Sequence, residues 1–557
     1  MDELRPYLRL LRARWARLVL GGGLMLATTL AGAGLLALSG WFITAAGAAA
    51  ALSAASVVAF EVYTPGGAIR AFALGRTAAR YGERIHNHDA VLRILADLRT
   101  AVFARLTRLD ALTLARFRSA DLLSRLTGDI DALDALYLRA LAPPLVALLG
   151  IAAIAALVGI FAPALALGLG IVLATLWLVL VVGGWRAGTV PSERLVARTE
   201  VLRHRILEQV EGLPELLSFG TLERHAEITN QERRARAREQ RRLALRHALG
   251  EAGANAGVQT ASAVALIGGV ALHRSGDMAV AVIVLMALAP LGLGELLGAL
   301  PGGFIQLGRS RAAGRRLNAQ LAARTAVSDP PSPRPMPVGS ALAFEAVTYA
   351  YRPLATPVLT DLDLTVADGE HVAVVGRSGS GKSTLAALAL RLIDPGSGTV
   401  RLGDTPVNEL GLTGLRARIG YLTQGTELLD ASVATNLRIA QPEAADEALY
   451  AALGIAELAD FVQGLPQGLE TGVGQAGARL SGGQARRLSL ARVVLRDPAV
   501  VVLDEPLAGL DAATADAVGR NLEAWLAGRT VLMLAHARTA LPPASRVLRL
   551  SGGALSA

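Results

Sequence analysis

Over its first 300 residues the chain alternates between apolar runs and arginine-studded polar stretches. Six apolar segments can be drawn, near Leu18–Leu38, Ala48–Ala73, Leu141–Phe161, Ala164–Val182, Ala254–Leu272 and Met278–Leu300. About 20 such residues cross a bilayer core as a helix. The second segment is interrupted by Glu61 and by Pro65-Gly66-Gly67, where a break is expected. Stretches 76–139 and 185–248 are polar and helical in pattern, and read as cytoplasmic extensions of membrane helices. Ser328 to Ser340 is Pro-rich without apolar period and marks a boundary. From Ala341 onward β-rich runs alternate with helical ones, as in an α/β nucleotide-binding domain. The expected division is therefore a six-helix membrane domain with cytoplasmic extensions (1–327), a linker (328–340) and an α/β domain (341–557).

Composition agrees with a membrane part. Of 557 residues, 52% are hydrophobic, and the mean hydropathy of +0.44 is too high for a wholly soluble enzyme. The net charge of +9 raises nucleic acid as a partner, but the arginines gather beside the apolar segments, as the positive-inside rule requires. No nucleic-acid partner is expected. Arg5, Arg9, Arg12, Arg14 and Arg17 precede the first span, whereas 39–69 holds no basic residue, so the N-terminus is expected inside. Six crossings then return the chain to the cytoplasm. The Arg-rich start lacks a cleavage site and is expected to be retained. With no cysteine, the chain has no disulfide, thiolate metal site or thiol exchange of its own.

The chemistry concentrates at Gly376-Arg377-Ser378-Gly379-Ser380-Gly381-Lys382-Ser383-Thr384, between an apolar run, His371–Val375, and a helical one beginning at Leu385. In a strand, glycine loop and helix of this kind, backbone N–H groups and the helix N-terminus converge on a phosphate chain. Lys382 is expected to reach the β- and γ-phosphates of ATP, and Ser383 to hold Mg²⁺. Lys382 is also the only lysine in the chain, every other cationic side chain apart from histidine being arginine. A cradle closed by glycines has room for a narrow ammonium and none for a planar fork.

Other parts of an ATPase follow in order. Tyr351 is placed to stack on adenine, as is Tyr349. Gln424, after the run Ile419–Thr423, is expected to reach Mg²⁺ through its amide oxygen. Val500–Leu503 reads as a buried strand ending in Asp504-Glu505. Asp504 would hold Mg²⁺, and Glu505 would orient and deprotonate the attacking water. His536 ends a further strand, within reach of the γ-phosphate. Leu480-Ser481-Gly482-Gly483-Gln484 opens a helix whose N–H groups and Ser481 hydroxyl can bind a γ-phosphate. Together with Asp511, these residues identify an ATP-binding cassette.

In the membrane part, Arg76, Arg80, Arg84 and His88 follow at four-residue steps, which places them on one helix face. Such a stripe is a solvated surface, an anchor for anionic lipid headgroups, or one wall of a cavity for an anionic ligand.

One six-span domain followed by one cassette resembles a bacterial ABC exporter half-transporter over essentially the whole chain. The closer resemblance is to the CydC family of the heterodimeric CydDC exporters. It rests on Leu35–Phe42, Gly75–Arg84, His88-Asp89, Arg116–Arg125 and Asp129–Arg139. The resemblance implies two cassettes meeting head to tail, each ATP lying between one phosphate loop and the other's Ser-Gly-Gly turn. It implies a CydD-like partner in the inner membrane, contact with membrane lipid, and a small cargo exported in support of cytochrome bd assembly, either haem or the thiols glutathione and cysteine. The family's haem-contacting histidine and arginine fall on His88 and Arg84, so haem b joins ATP and Mg²⁺ among the expected ligands. Ala115–Leu123 and Glu215–Phe219 look like coupling helices. Two departures from the family pattern stand out: the chain stops soon after Gly553, and Leu507 stands where threonine commonly follows Asp-Glu-Pro. Rival expectations are a homodimeric lipid or peptide exporter, a haem-responsive regulatory ATPase, and a soluble ABC ATPase acting on DNA or ribosomes.

Overall fold

The apolar runs fold as helices that continue past the apolar stretch into the polar one beside it. In the computed structural model these are α1 (Arg5–Arg12), α2 (Trp15–Leu52), α3 (Ala54–Ala59), α4 (Tyr63–Leu106), α5 (Ala142–Gly159), α6 (Pro163–Glu211), α7 (Leu213–Ser218), α8 (Leu222–Arg274), α9 (Val280–Leu288) and α10 (Gly294–Leu321). The structure describes residues 2–110, 113–114, 117, 122–123, 125–323, 325–352, 355–425, 427–537 and 541–556. Two units result, 1–108 with 117–323 and 109–116 with 324–557.

Among the described residues, five helices or helix pairs are long and apolar enough to cross a membrane. The sixth long helix, α4, carries the basic stripe, and its charges dilute its apolar character. The expected second span, Ala48–Ala73, is not one helix. α2 runs on to Leu52, and the chain leaves helix at Ser53 and again at Phe60–Val62. Pro65 does not break the helix. It lies in the first turn of α4, where no N–H is missed, and the Glu61 carboxylate accepts from Thr64 N at 2.9 Å. The sixth span is also divided, by a 3₁₀ turn at Ala289–Leu293 between α9 and α10. Gly292 lets that turn approach α2, since a Cβ there would lie 2.4 Å from Ala33 Cα.

The polar extensions are tied by ions and hydrogen bonds. Tyr7 Oη donates to Asn318 Oδ1 at 2.9 Å, and Asn318 Nδ2 donates to the Glu3 carbonyl at 2.7 Å. Arg316 Nε donates to Asp129 Oδ2 at 2.8 Å, and Arg311 pairs with Glu193 at 3.1 Å.

The second unit has two sheets. A smaller one has order β2-β1-β4-β5, from β1 (Leu342–Tyr349), β2 (Leu359–Val366), β4 (Ser397–Leu402) and β5 (Thr405–Pro406). The larger has order β10-β9-β3-β8-β7-β6, from β3 (His371–Val375), β6 (Ile419–Leu422), β7 (Val500–Asp504), β8 (Thr530–Ala535), β9 (Arg546–Ser551) and β10 (Ala554–Ser556). Its central strands β3, β8 and β7 are parallel, so their C-terminal ends lie along one edge. Every residue of β7 and β8 is buried, as continuous Val/Leu runs predict for a sheet covered on both faces. The Pro-rich stretch is held along this unit: Leu412 N donates to Asp329 at 2.7 Å and Arg334 N to the Glu409 carbonyl at 2.9 Å.

Candidate functional site

Strand ends place the chemistry. β3 leads through Gly376–Gly381 into α11 (Lys382–Ala389), as expected for a phosphate loop. Gly381 has φ +108°, and a Cβ there would meet Leu359 Cδ2 at 2.8 Å. Gly379 also lies in the left-handed region, at φ +77°. Neither position suits a side chain, which is the physical reason for glycine at both. Ser380 lies between them and Ser378 immediately before Gly379. Lys382 folds over the loop, its Nζ donating to the carbonyls of Gly376 at 2.6 Å and Arg377 at 3.0 Å. Burial lowers its pKa, against the raising influence of Glu505 and Asp504. The ammonium therefore has carboxylates nearby and little water, a setting that favours an incoming polyanion.

Ser383 Oγ donates to Asp504 Oδ2 at 2.7 Å. Asp504 is 1% exposed, and burial pushes its carboxyl above the usual range, against the Ser383 hydrogen bond. A hydroxyl and a buried carboxylate this close are a hard-oxygen pair suited to Mg²⁺, which when bound neutralises phosphate charge. Gln424 is exposed just beyond β6, the third member of the expected metal set. Glu505 follows with φ +54°, a conformation that costs a non-glycine residue energy and is found mostly where structure enforces it. Its carboxylate Oε1 lies 2.8 Å from His536 Nε2, so the two expected catalytic side chains meet. Thr384 Oγ1 and Tyr351 Oη are 3.1 Å apart, which brings the half-exposed Tyr351 ring to the loop. Tyr349 meets that ring edge to face at 5.1 Å.

Ser481 caps α12 (Gly482–Arg496) through a capping box: its Oγ accepts from Gln484 N at 3.2 Å, and Gln484 Oε1 accepts from Ser481 N at 2.8 Å. Asp511 caps α13 (Ala512–Leu526), accepting from Thr514 N at 3.0 Å; that bond holds its carboxyl below the usual range. Ser481, Gly482, Gly483, Gln424, Glu505 and Asp511 line one open cleft of about 580 Å³. The phosphate loop is not among its walls.

Arg486, which sequence reasoning passed over, holds these parts together. It is 5% exposed. One terminal nitrogen donates to the carbonyls of Thr423 and Gln424, the other to those of Asp504 and Glu505. The Gln424 segment, the two acidic residues and the helix after Ser-Gly-Gly thus share one buried cation. Its only sequence signal was an arginine three residues beyond Gly483 on the buried side of a helix.

The basic stripe of the first unit divides. Arg76 and Arg80 pair with Glu295 of α10, Arg76 at 3.3 Å. Arg84 and His88 are exposed, and neither has a hydrogen-bond or ion-pair partner among the described residues. Four-residue steps advance about 40° each around a helix, so a stripe three steps long turns from one environment to another. Of the expected coupling helices, Glu215–Phe219 is helical in α7 with a short C-terminal turn and exposes Leu217 and Phe219. Ala115–Leu123 lies largely outside the described residues.

Strand, glycine loop, acidic strand end and Ser-Gly-Gly helix define a nucleotide-hydrolysing cassette, here following a helical permease. The ABC transporter family matches residues 359–508, and the ABC transporter transmembrane region matches 22–291. The chain is 33% identical over 99% of its length, and 96% of the relative's, to the glutathione/L-cysteine transport system ATP-binding/permease protein CydC of Escherichia coli. It is 30% identical to CydC of Haemophilus influenzae, over 100% of this chain and 96% of that one. In fold it is similar to a bacterial Atm1-family ABC exporter with ATP bound, at a TM-score of 0.75 and 23% identity, covering 98% of this chain and 95% of that one. The chain belongs to the CydC family of ABC transporters. It is an ATP-hydrolysing, multi-pass protein of the inner membrane with a cytoplasmic cassette.

Proposed function

We propose that this chain is one half of a heterodimeric exporter that moves glutathione or cysteine from cytoplasm to periplasm, in support of cytochrome bd assembly. Residues 1–327 form the permease, 328–340 the connection and 341–557 the cassette. The observation that carries this reading is full-length identity with relatives named for glutathione/L-cysteine transport, joined to a cassette whose catalytic pair, Glu505 and His536, is in contact. The Bacillus subtilis relative, 29% identical over 88% of this chain, is named CydD, the partner type the reading requires.

The catalytic set is Lys382, Gln424, Glu505 and His536. Gly376, Ser378, Gly379, Ser380, Gly381, Lys382, Ser383 and Thr384 hold the phosphates, with Tyr351 against the base, and Ser383, Gln424 and Asp504 hold Mg²⁺. Ser481, Gly482, Gly483 and Asp511 serve the ATP bound by the partner's loop; they line a cleft that Gln424 and Glu505 also border and this chain's own loop does not. Glu505 orients water and takes its proton, with His536 keeping its carboxylate in place. ATP favours the closed pair because only there do both cassettes touch it.

A second reading, haem as cargo or regulator, is favoured by one observation. Arg84 and His88 are exposed one turn apart and have no hydrogen-bond or ion-pair partner among the described residues, an arrangement suited to a propionate and iron. Export is tested in sealed inverted vesicles holding both halves, with ATP and labelled thiol outside. ATP-dependent uptake, absent with Glu505→Gln, is expected; uptake that needs no second subunit would favour the homodimeric rival. For haem, a Soret shift lost in His88→Ala is expected, and an equal shift in both proteins removes His88 from the site.

A further inference from the structure

Three long helices of the membrane unit each carry a residue that weakens a helix, and contacts bring the three places together. α6 holds Pro191 and α10 holds Pro301, both inside the helix. α8 holds Gly250, where a Cβ would lie 2.9 Å from the Pro301 ring. α6 and α10 also meet directly, since a Cβ on Gly188 would lie 3.1 Å from Ile305 N. The apolar stretches of α6 and α8 end nearby, at Val182 and Ala254, so this is where spans pass into their polar extensions. An interior proline removes one i→i−4 hydrogen bond and crowds the carbonyl four residues before it, a common cause of a kink. Glycine adds backbone freedom beside it. In α6 Thr189 adds to the effect: it is buried, and its hydroxyl donates to the Trp185 carbonyl at 2.6 Å, a back-bond that bends helices.

Pro191 leaves the Ala187 carbonyl without its helical donor, and another helix supplies one. Arg246 Nη1 of α8, one turn before Gly250, donates to Ala187 O at 3.4 Å. The arginine thus meets the very acceptor that the proline creates. Arg246 is exposed and has no ion-pair partner among the described residues, so this carbonyl is its one protein contact of that kind. The bond is long and open to water, which can replace it at small net cost. A contact that changes during a working cycle has to be of this kind.

We propose that Pro191, Gly250 and Pro301 form one joint that flexes as the transporter cycles, and that Arg246 is the positioning residue that holds the joint at its present angle. The reading rests on ATP-driven transport alone and is independent of the cargo. An unbroken helix passes any tilt of its cytoplasmic end straight to its span. A joint at the border lets the extension swing while the span keeps its packing.

The test is hydrogen–deuterium exchange of residues 185–195, read by mass spectrometry on the full-length protein assembled with its second half in lipid nanodiscs, without nucleotide and with ATP and vanadate. Exchange in the native protein is expected to differ between the two states. Arg246→Met keeps the apolar stem and loses the donor, and should speed nucleotide-free exchange roughly fivefold, as loss of one exposed hydrogen bond implies. Arg246→Lys should restore most of the protection. Pro191→Ala supplies the missing N–H to Ala187, and alanine is the better helix former, so folding is not at risk. This variant should slow exchange, abolish the difference between the states and lower the ATPase kcat roughly threefold or more at unchanged nucleotide Kd, as a hindered conformational step does. It should also make Arg246→Met silent, an outcome that a general packing role does not produce, because the arginine then has no free carbonyl to serve. Equal effects of Arg246→Met with proline and with alanine at position 191 overturn the role of Arg246. Native exchange that is the same in both nucleotide states, or native kcat in Pro191→Ala, overturns the joint.

Discussion

Replacing Arg486 by Met should damage the cassette in two separable ways. The guanidinium donates to four backbone carbonyls in a site 5% exposed. Methionine fills much of the volume and donates to none. Leaving a buried polar group unpaired costs about 1–3 kcal/mol, and truncating one partner of a buried charged network costs about 3–5 kcal/mol. Burial also lowers the pKa of Arg486, so the native site already disfavours the charge, and its removal returns part of the loss. A net destabilisation of about 3 kcal/mol follows, equivalent to roughly 6–12 °C in the melting of a domain this size. The second effect is kinetic. The four carbonyls that accept from Arg486 lie outside the phosphate loop and Tyr351, whereas Gln424 and Glu505 lose their shared support. Nucleotide Kd should therefore hold while kcat falls roughly 100-fold, the usual consequence of displacing catalytic groups by about 1 Å. Differential scanning calorimetry of the full-length protein and steady-state ATPase of the assembled pair measure the two effects. Arg486→Gln, retaining two donors, should fall between. Native melting and turnover in Arg486→Met would refute the assignment, and lost nucleotide affinity with unchanged kcat would refute the division between loop and hub.

Further outcomes follow from the same geometry. Glu505→Gln should bind nucleotide normally and stop turnover at the site it serves, as seen in single-turnover assays; undiminished ATPase in the pair would place all turnover at the partner's site. Gly381→Ala should abolish nucleotide binding and destabilise the cassette by about 1–3 kcal/mol from its left-handed φ, before any cost of the contact with Leu359. Asp504 has a raised native pKa, so the native state holds its proton more tightly than the unfolded chain does. Stability from this group is greatest below the unfolded carboxylate value and declines as pH rises through the native one. Asp504→Asn should flatten that decline in nucleotide-free melts as pH rises above the ordinary carboxylate range, and abolish Mg²⁺-dependent ATPase. A steeper decline in the variant would contradict burial as the cause.

How much of this was legible in the sequence depended on the range over which each feature is determined. The phosphate loop was legible because strand, glycines and helix are contiguous, and the positive φ of Gly379 and Gly381 is a local demand that few other residues meet. The Ser481 cap and the all-buried β7 are local in the same sense. The second span was misdrawn because it was drawn as one segment across Ser53 and Phe60–Val62, which are not helical; of its two expected interruptions, Glu61 stands in one and Pro65 does not. Whether proline breaks a helix depends on which turn it occupies, and Pro65 lies in the first turn of α4, beside Thr64, whose N–H and hydroxyl donate to the Glu61 carboxylate. The stripe from Arg76 to His88 failed differently. Spacing gave the face correctly, but the partner of its upper half, Glu295, lies 215 residues beyond Arg80. Nothing in that local pattern distinguishes two arginines facing a carboxylate from two facing water. Arg486 is the sharpest case, because all its acceptors are backbone carbonyls, which every residue possesses. A side chain that recognises only backbone leaves no complementary residue type elsewhere in the chain, so its role emerges only once β6, β7 and α12 are packed. The residues proposed to meet nucleotide were therefore read from residue identity, and the arginine that joins their segments was not.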